Sequence, residues 1–307
     1  MNFRNEYKFL SNMHPCVINI KSKENNIYTF KCLESAYQSL KDRSRLDEFI
    51  HLNGYEAKKL GKIVHLDSKF NENRKKIMSL LLSNKFSQRH LSIMLKRTGN
   101  IEIVEDNNWG DTYWGRCRGI GENNLGKAIM NVRDNLNLEL CKTVCFTGSR
   151  PKNLRGYCRE DYTNDKEIIK NYIYELYNKG FREFITGGAQ GVDQLVLECL
   201  VELKEQLSSL IITVFLPYFS YGNQWNFGDY FSYKHLKNLL ISADYVSYVN
   251  HVTYEHEINK ALFNRNEAMV ECSDLVVAIY KVLTNGTKHC INYARDRNRE
   301  IREIILK

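Results

Sequence analysis

A glutamate at the start of a predicted helix is the first candidate for chemistry in this sequence. Glu34 falls in the first turn of the helix that "TFKCLESAYQSLK" predicts, where apolar residues recur at spacings of three and four. Gln38, Lys41 and Arg45 share its face of the helix. Glu34 is therefore either a solvated acid that the helix dipole favours or a carboxylate placed for acid–base work.

A second carboxylate lies in an aromatic, glycine-rich segment. In "VEDNNWGDTYWGRCRGIGENNLG", Trp109, Tyr113 and Trp114 surround Asp111, and the glycines deny the segment a regular helix. Aromatic side chains around a carboxylate suit stacking on a base while an acid works beside it. An aromatic cluster that only fills the core is the competing interpretation. The glycine spacing does not match a dinucleotide-binding fingerprint.

Three loops in the second half are predicted to share one edge of a sheet. "TGSRP" and "TGGAQGVD" each follow a predicted strand, and "NGT" follows a third. Glycines allow close backbone approach, and the helix after the second loop offers free N–H groups to an anion. Neither a Walker loop nor GxGxxG is present in them, so we expect binding without phosphoryl transfer. The predicted nucleotide-binding residues are Gly148, Ser149, Arg150, Gly187, Gly188, Gly191, Asp193, Gly286 and Thr287.

The second half alternates apolar strands with helices. The predicted strands are 143–147, 182–186, 210–216, 245–249 and 274–280. The clearest helix, 191–206, has one apolar stripe. This alternation predicts an α/β Rossmann-like domain with a mostly parallel sheet, whose ligands lie beyond the carboxyl ends of the strands.

The first half is less regular, and it predicts an α+β domain. Its predicted strands are 16–20, 27–31 and 101–105, and its predicted helices lie near 33–45, 55–62, 71–86, 87–97 and 123–137. No Gly/Ser/Pro-rich linker separates the two halves. We place the domains at 1–140 and 141–307.

Charge and composition restrict the class of protein. Residues 1–140 carry 23 Lys and Arg against 16 Asp and Glu, whereas residues 141–307 carry 21 against 20. A basic excess confined to the first half suggests an anionic substrate there. No apolar run approaches a membrane span and the start has no signal-peptide core, so we expect a cytoplasmic protein. Nine cysteines without a CxxC pair suggest reduced thiols and no metal.

The ordered motifs of the first half resemble the NADAR family. They are "YKFLSNMHPC", "LESAYQSLK", "AKKLGK", "FNENRKKIMSLLLSNKFSQ", "LKRTGNIEIVED", "WGDTYWG" and "GENNLGKAIMNVR", which span about residues 3–137. The resemblance implies an N-glycosidase of NAD and ADP-ribose chemistry, with Glu34 as the main catalytic carboxylate and Asp111 as a second acid or positioning group. It implies no cofactor. The substrate-binding residues it implies are Phe9, Asn12, Phe70, Trp109, Trp114 and Arg133.

One position departs from the family pattern. Phe70 stands where many members have Trp, which removes an indole N–H donor and bears on substrate choice. Known substrate types of the family include phosphorylated riboflavin-pathway intermediates and ADP-ribosylated guanine, so Phe70 weakens the flavin-pathway assignment. Within this resemblance, Arg133 would contact a phosphate.

Residues 142–307 resemble the SLOG superfamily, in its branch with a TGSRP start and a GGAxGxD loop. The match also includes "FLPY", Trp225, "RNEAMVECSDLVVAIY" and "NGT". Members bind nucleotides or nucleotide-derived ligands, and one branch hydrolyses nucleoside monophosphates with a glutamate that has no counterpart in this loop. The resemblance therefore implies a domain that binds an ADP-ribose-like or other nucleotide ligand, and a route to a homo-oligomer through this half.

Together the two resemblances predict an N-glycosidase that removes ADP-ribose from ADP-ribosylated guanine in nucleic acid, or acts on a related NAD-derived substrate. Two alternatives stay open: a non-catalytic binder or sensor of an NAD-derived signal, and a hydrolase of riboflavin-pathway intermediates. The acid and base roles of Glu34 and Asp111 are not separable from the sequence. Reversal or sensing of ADP-ribosylation in phage defence or counter-defence would suit such a fusion.

Overall fold

A computed structural model of the chain describes residues 3–22, 24–226 and 228–307. These residues separate into two units. The first unit extends to Leu140 and takes in Asn250–Thr253, and the second consists of Cys141–Val249 and Tyr254–Lys307.

The first unit is a mixed α+β structure, which confirms the fold class predicted for this half. Its strands and helices are β1 (Pro15–Lys21), β2 (Ile27–Cys32), α1 (Leu33–Ser39), α2 (Gly54–Leu60), α3 (Phe70–Phe86), α4 (Arg89–Lys96), β3 (Asp106–Asn107), β4 (Arg116–Cys117) and α5 (Asn124–Asp134). Strands β1 and β2 pair antiparallel, and β3 and β4 form a two-residue parallel ladder. Two 3-10 helices lie at Asn5–Leu10 and Arg43–Phe49.

Helix α1 lies in the core of this unit. All seven of its residues are buried, and it packs against α2 and α3. Cys32 caps it, because its sulfur accepts a hydrogen bond from the backbone N–H of Ser35. A helix buried on every face places its polar residues inside the unit as well, and Glu34 and Gln38 are among them.

Two predicted elements of the first half are wrong. Residues 101–105 form no strand. The side chain of Asn123 takes the place of a partner strand there, since it donates to the carbonyl of Ile103 at 2.9 Å and accepts from the N–H of Glu105 at 3.1 Å. The helix predicted over 33–45 ends early, because Asp42 caps a separate 3-10 helix by accepting from Ser44 N–H.

The second unit is an α/β structure with one parallel sheet, which confirms the Rossmann-like fold class. Its strands are β5 (Lys142–Gly148), β6 (Phe181–Thr186), β7 (Ile211–Leu216), β8 (Tyr245–Tyr248), β9 (Leu275–Tyr280) and β10 (Glu300–Ile305). Its helices are α6 (Thr163–Asn178), α7 (Val192–Leu203), α8 (Tyr233–Ile241), α9 (Ile258–Glu271) and α10 (Asn285–Asp296). The edge strand β10 was not predicted.

The order of the strands creates a crevice above β5. The sheet runs β10-β9-β5-β6-β7-β8, with every neighbouring pair parallel. The chain therefore builds outward from β5 in one direction and then returns to its other side with β9. Such a switch point is where open α/β sheets bind ligands, beyond the carboxyl ends of the strands. The loops after β5, β6 and β9 all emerge at that edge.

Candidate functional site

Glu34 is a buried carboxylate with defined partners. It is 8% exposed, so the interpretation of a solvated first-turn acid is wrong. Its backbone N–H donates to the carbonyl of Asn12 at 2.9 Å, and its Oε1 accepts from Nε2 of Gln38 at 2.8 Å. A carbonyl from the turn before β1 thus holds the backbone of Glu34, and a side chain one turn later on α1 holds its carboxylate.

Aromatic rings line the same region. The ring of Tyr37 lies 5.3 Å from that of Phe70 and meets Trp114 edge-on at 5.9 Å, and Trp114 meets Tyr113 at 5.0 Å. The guanidinium carbon of Arg74 stands 3.4 Å from the centre of the Tyr113 ring. Burial raises the pKa of the Tyr37 hydroxyl, and the carboxylate of Glu34 raises it further. A surface of rings and one cation therefore adjoins the catalytic candidate.

Asp111 is held in a tight turn. Its backbone exchanges hydrogen bonds with the side-chain amide of Asn107, at 2.8 and 3.1 Å. Its Oδ1 accepts from the backbone N–H groups of Tyr113 at 3.1 Å and Trp114 at 2.8 Å. The carboxylate is thus oriented by the backbone that also carries the tryptophan of the aromatic surface.

The structure adds Glu105 to these two carboxylates. Burial raises the pKa of Glu105 to about 7, and the charges of Asp111 and Glu34 act in the same direction, whereas Lys58 opposes them. Three acidic side chains therefore share one electrostatic environment. Glu105 was not predicted as a site residue, because tertiary packing, and not the sequence pattern of its segment, brings it near residues of α1 and α2.

The other predicted substrate-binding residues fall into different places. Phe9 and Phe70 are buried in the hydrophobic core, and Phe70 is in contact with Tyr37 as described. Asn12 holds Glu34 through its carbonyl, and its own Oδ1 is buried without a hydrogen-bond partner among the described residues. Trp109 is 63% exposed and available to a ligand.

Arg133 has partners of its own. It is 6% exposed, and its Nη1 donates to the hydroxyl of Thr98 at 3.0 Å and to the carbonyl of Ile101 at 2.8 Å. These contacts tie α5 to the segment that follows α4. They do not join Arg133 to the carboxylates.

In the second unit, the structure brings the three predicted loops together. The backbone N–H of Val192 donates to the carbonyl of Ser149 at 3.2 Å, and the Ser149 hydroxyl donates to the carbonyl of Val282 at 2.7 Å. Gly148 has no room for a side chain, because a Cβ would stand 2.2 Å from the carbonyl oxygen of Ile279. A Cβ on Gly191, whose φ is +91°, would stand 2.4 Å from the carbonyl oxygen of Ser149.

An ion pair between Arg265 and Asp193 supports the glycine loop, "TGGAQGVD" (186–193). Arg265 of α9 donates to the carbonyl of Gly187, and the same nitrogen lies 3.3 Å from Oδ2 of Asp193. Asp193 also accepts from Ala189 N–H at 3.3 Å. Burial raises the pKa of Asp193, and the guanidinium groups of Arg265 and Arg150 act against it. Asp193 thus faces the loop's own backbone, and Arg265 is a member of the site that the sequence analysis did not select.

Arg150 and the third loop complete the edge. Nη2 of Arg150 donates to the hydroxyl of Tyr221 at 3.2 Å, and Tyr221 meets Trp225 edge-on at 5.1 Å. Gly286 lies in open space, with its carbonyl accepting from Asn266 at 3.4 Å. Thr287 is buried, with its hydroxyl oxygen 3.3 Å from that of Thr284. The cation and the aromatic pair therefore lie beside the glycine loop.

Within the part of the chain that the structure describes, no three His, Cys, Asp or Glu side chains are grouped as ligands for a metal ion. No helix of the described ranges combines the length and the apolar character that crossing a bilayer requires.

Comparison with known proteins gives a match for each half. The model of the YspA SLOG family matches residues 144–304, and the model of the NADAR domain matches residues 2–137. The SPbeta prophage-derived protein YoqJ of Bacillus subtilis strain 168 is 30% identical over 139 residues, covering 42% of this chain and 80% of YoqJ. A UPF0398 protein of Lactiplantibacillus plantarum is 30% identical over 115 residues, covering 38% of this chain and 58% of that protein.

Two solved structures are similar to part of the chain. They are DNA processing protein A from Streptococcus pneumoniae, with TM-score 0.38 and 14% identity, and the single-stranded DNA-binding protein of that name from Helicobacter pylori, with TM-score 0.36 and 16% identity. Each match covers 54% of this chain, and the two cover 51% and 66% of the other chains. These values are too low to carry a function over.

Proposed function

The chain belongs to the YspA SLOG family through residues 144–304 and carries a NADAR domain at residues 2–137, and from that premise we propose that its first unit is an N-glycosidase. The reaction is hydrolysis of a ribosyl N-glycosidic bond. The observation that carries the proposal is the buried Glu34 carboxylate, held by Gln38 and adjoining an aromatic surface.

The chemistry of the bond explains why such a site would cleave it. Departure of the base leaves positive charge on the ribose, in an oxocarbenium-like transition state. A carboxylate fixed beside the sugar stabilises that charge more than it stabilises the ground state, because it is already oriented and partly shielded from water. Glu34 meets both conditions, since a hydrogen bond at each end fixes it and it is 8% exposed.

The surroundings of Glu34 suit a planar base and a phosphate-bearing sugar. Trp114 and Tyr113 offer ring surfaces for stacking, and exposed Trp109 offers a third. Residues 1–140 have 23 basic against 16 acidic residues, which favours an anionic substrate. We therefore take ADP-ribosylated guanine in nucleic acid, or a related NAD-derived molecule, as the substrate.

The second unit is proposed to bind a nucleotide ligand at the switch point of its sheet. The start of α7 and the Arg150 guanidinium beside the glycine loop together suit a phosphate group. The buried Oε1 of Gln194 has no hydrogen-bond partner among the described residues, and as an acceptor it suits a hydroxyl or amino donor of the ligand, while its Nε2 lies 3.5 Å from the Gly188 carbonyl. A prophage-derived relative fits a role in phage defence or counter-defence.

The test is release of ADP-ribose from an oligonucleotide that carries ADP-ribosylated guanine. Wild type is compared with Glu34→Gln and with Glu72→Gln, which changes an exposed glutamate on α3. Release by wild type and Glu72→Gln, but not by Glu34→Gln, supports the proposal. No release by any of the three contradicts it and favours a binding protein, which a titration with NAD, ADP-ribose and cyclic ADP-ribose would then reveal.

A further inference from the structure

The backbone of Glu105 is clamped from two sides. Its N–H donates to Oδ1 of Asn123 at 3.1 Å, and its carbonyl accepts from the N–H of Arg116 at 2.8 Å. Gly115 packs on the same carbonyl so closely that a Cβ there would stand 2.2 Å from its oxygen. These contacts leave the side chain as the only part of Glu105 that is free to meet a ligand.

That side chain ends in an atom with nothing to satisfy it. Oε2 of Glu105 is buried, and among residues 3–22, 24–226 and 228–307 it has no hydrogen-bond partner. An ionised carboxylate in this position would keep a desolvated, unpaired charge, which is costly. A protonated carboxyl avoids that cost and carries an O–H that can be donated to a ligand.

The charged neighbours favour the protonated form further. Glu34 of α1 and Asp111 add negative charge near Glu105, and the positive charge of Lys58 on α2 opposes them. With burial as the largest cause, the pKa of Glu105 is raised to about 7. A carboxyl with a pKa raised in this way can serve as a general acid near neutral pH.

The other two carboxylates each have hydrogen-bond donors on one oxygen. Oε1 of Glu34 accepts from the Gln38 amide, and Oδ1 of Asp111 accepts from two backbone N–H groups. Glu34 and Asp111 each have donors on a carboxylate oxygen, whereas Oε2 of Glu105 has none among the described residues. This difference separates the roles of the three side chains.

We propose that Glu105 is the general acid of the site, which protonates the departing base. This inference rests on the proposed N-glycosidase function. As the bond between the ribose carbon and the base nitrogen breaks, its electron pair moves to the nitrogen, and the proton of Glu105 goes to the departing base. Water adds to the ribose carbon and gives a proton to Glu34. That proton returns to Glu105 through solvent. The products are the free base and the ribose with a hydroxyl on the carbon that carried the base.

The experiment measures kcat/KM against pH for ADP-ribose release, with wild type, Glu105→Gln and the control Glu102→Gln. Glu102 is exposed and pairs with Arg116 at 3.0 Å. Wild type and Glu102→Gln should lose activity as pH rises through about 7, because the acid must carry its proton. Glu105→Gln should be about 100-fold or more slower at pH 6 and should lack this alkaline fall.

The outcomes separate a catalytic from a structural role. If Glu105→Gln is slower by the same factor at every pH and keeps the alkaline fall, or stays within about three-fold of wild type, the inference is wrong. Should Glu105→Gln fail to fold, Glu105→Asp replaces it, and an unmoved alkaline limb in that variant overturns the inference. Absence of activity in wild type contradicts the proposed function itself and the inference with it.

Discussion

Gln38 donates from its side-chain amide to the carboxylate of Glu34 one turn earlier on α1, with 2.8 Å between Nε2 and Oε1. Both side chains are buried, so neither exchanges this bond for one with solvent without cost. Because residues four apart lie on the same face of a helix, Gln38 orients the carboxylate of Glu34 from within α1 itself.

The first prediction concerns that contact. Gln38→Met keeps a similar volume but removes the donor, so that Glu34 loses its fixed orientation. We expect kcat for ADP-ribose release to fall about five-fold while KM stays near the wild-type value, since one hydrogen bond contributes about 1 kcal/mol. Steady-state kinetics measures kcat and KM, and a thermal melt shows whether the variant is folded. A raised KM with unchanged kcat would show instead that Gln38 contacts the substrate.

The second prediction separates stacking from packing. Trp109 is 63% exposed, so Trp109→Ala should leave the melting temperature unchanged. If its indole stacks on the base, the substrate should bind more weakly by about 1–3 kcal/mol of binding free energy, the usual contribution of one such contact. Ile120→Ala is the matched control, since Ile120 is 74% exposed. Equal KM values for the two variants would remove Trp109 from the substrate site.

Periodicity predicted most of the framework that carries these residues. The predicted strands of the second half became β5, β6, β7, β8 and β9. The prediction is clearest for β5, β7 and β9, because buried parallel strands are apolar on both faces. Strand β10 was not predicted because its sequence, "EIREII", places isoleucines at 301, 304 and 305, a spacing of three and four that is typical of a helix. Residues 101–105 were predicted as a strand and form none, because the side chain of Asn123 makes the backbone hydrogen bonds that a partner strand would make.

The site was less predictable than the fold. The face shared by Glu34 and Gln38 follows from helical spacing, and their bond is therefore foreseeable. Glu105 was not, since its pKa depends on Glu34, Lys58 and Asp111, which tertiary packing brings near from separate segments. Arg265 is similar: it supports Gly187 from 78 residues further along the chain.

The third prediction compares two glycines of the nucleotide site. A Cβ on Gly187 would stand 1.7 Å from Nη1 of Arg265 and 2.6 Å from Oδ2 of Asp193, so Gly187→Ala must displace that buried ion pair. We expect it to destabilise the protein by about 3 kcal/mol, the cost typical of breaking a buried pair. Gly286→Ala meets open space and should leave stability within about 0.5 kcal/mol of wild type.

Chemical unfolding of both variants measures the difference. Because Gly286→Ala keeps the fold, any loss of nucleotide binding in that variant would come from the ligand contact alone. Equal stabilities of the two variants would contradict the placement of Arg265 beneath the loop.

The last prediction concerns acid stability and rests on Glu198 of α7. Its Oε1 accepts from Arg159 at 2.9 Å and Lys166 at 3.0 Å, and its Oε2 accepts from the hydroxyl of Tyr230. These partners come from different segments of the second unit, which Glu198 therefore ties to α7. Burial alone would raise the pKa of Glu198, but His235, whose Nε2 lies 3.7 Å from Oε2, together with Tyr230 and Lys166, outweighs it and lowers the pKa from 4.5 to about 2.

A carboxyl whose pKa is lower in the folded state stabilises that state fully above its unfolded pKa, and the contribution disappears as pH falls through the folded pKa. Glu198→Gln should therefore lose up to about 3 kcal/mol of unfolding free energy at pH 7. Its deficit relative to wild type should shrink between pH 4.5 and about 2. Urea unfolding at pH 7, 4 and 3 measures this, with exposed Glu205→Gln as the control. A deficit that stays constant down to pH 3 would show that Glu198 acts through packing and not through its charge.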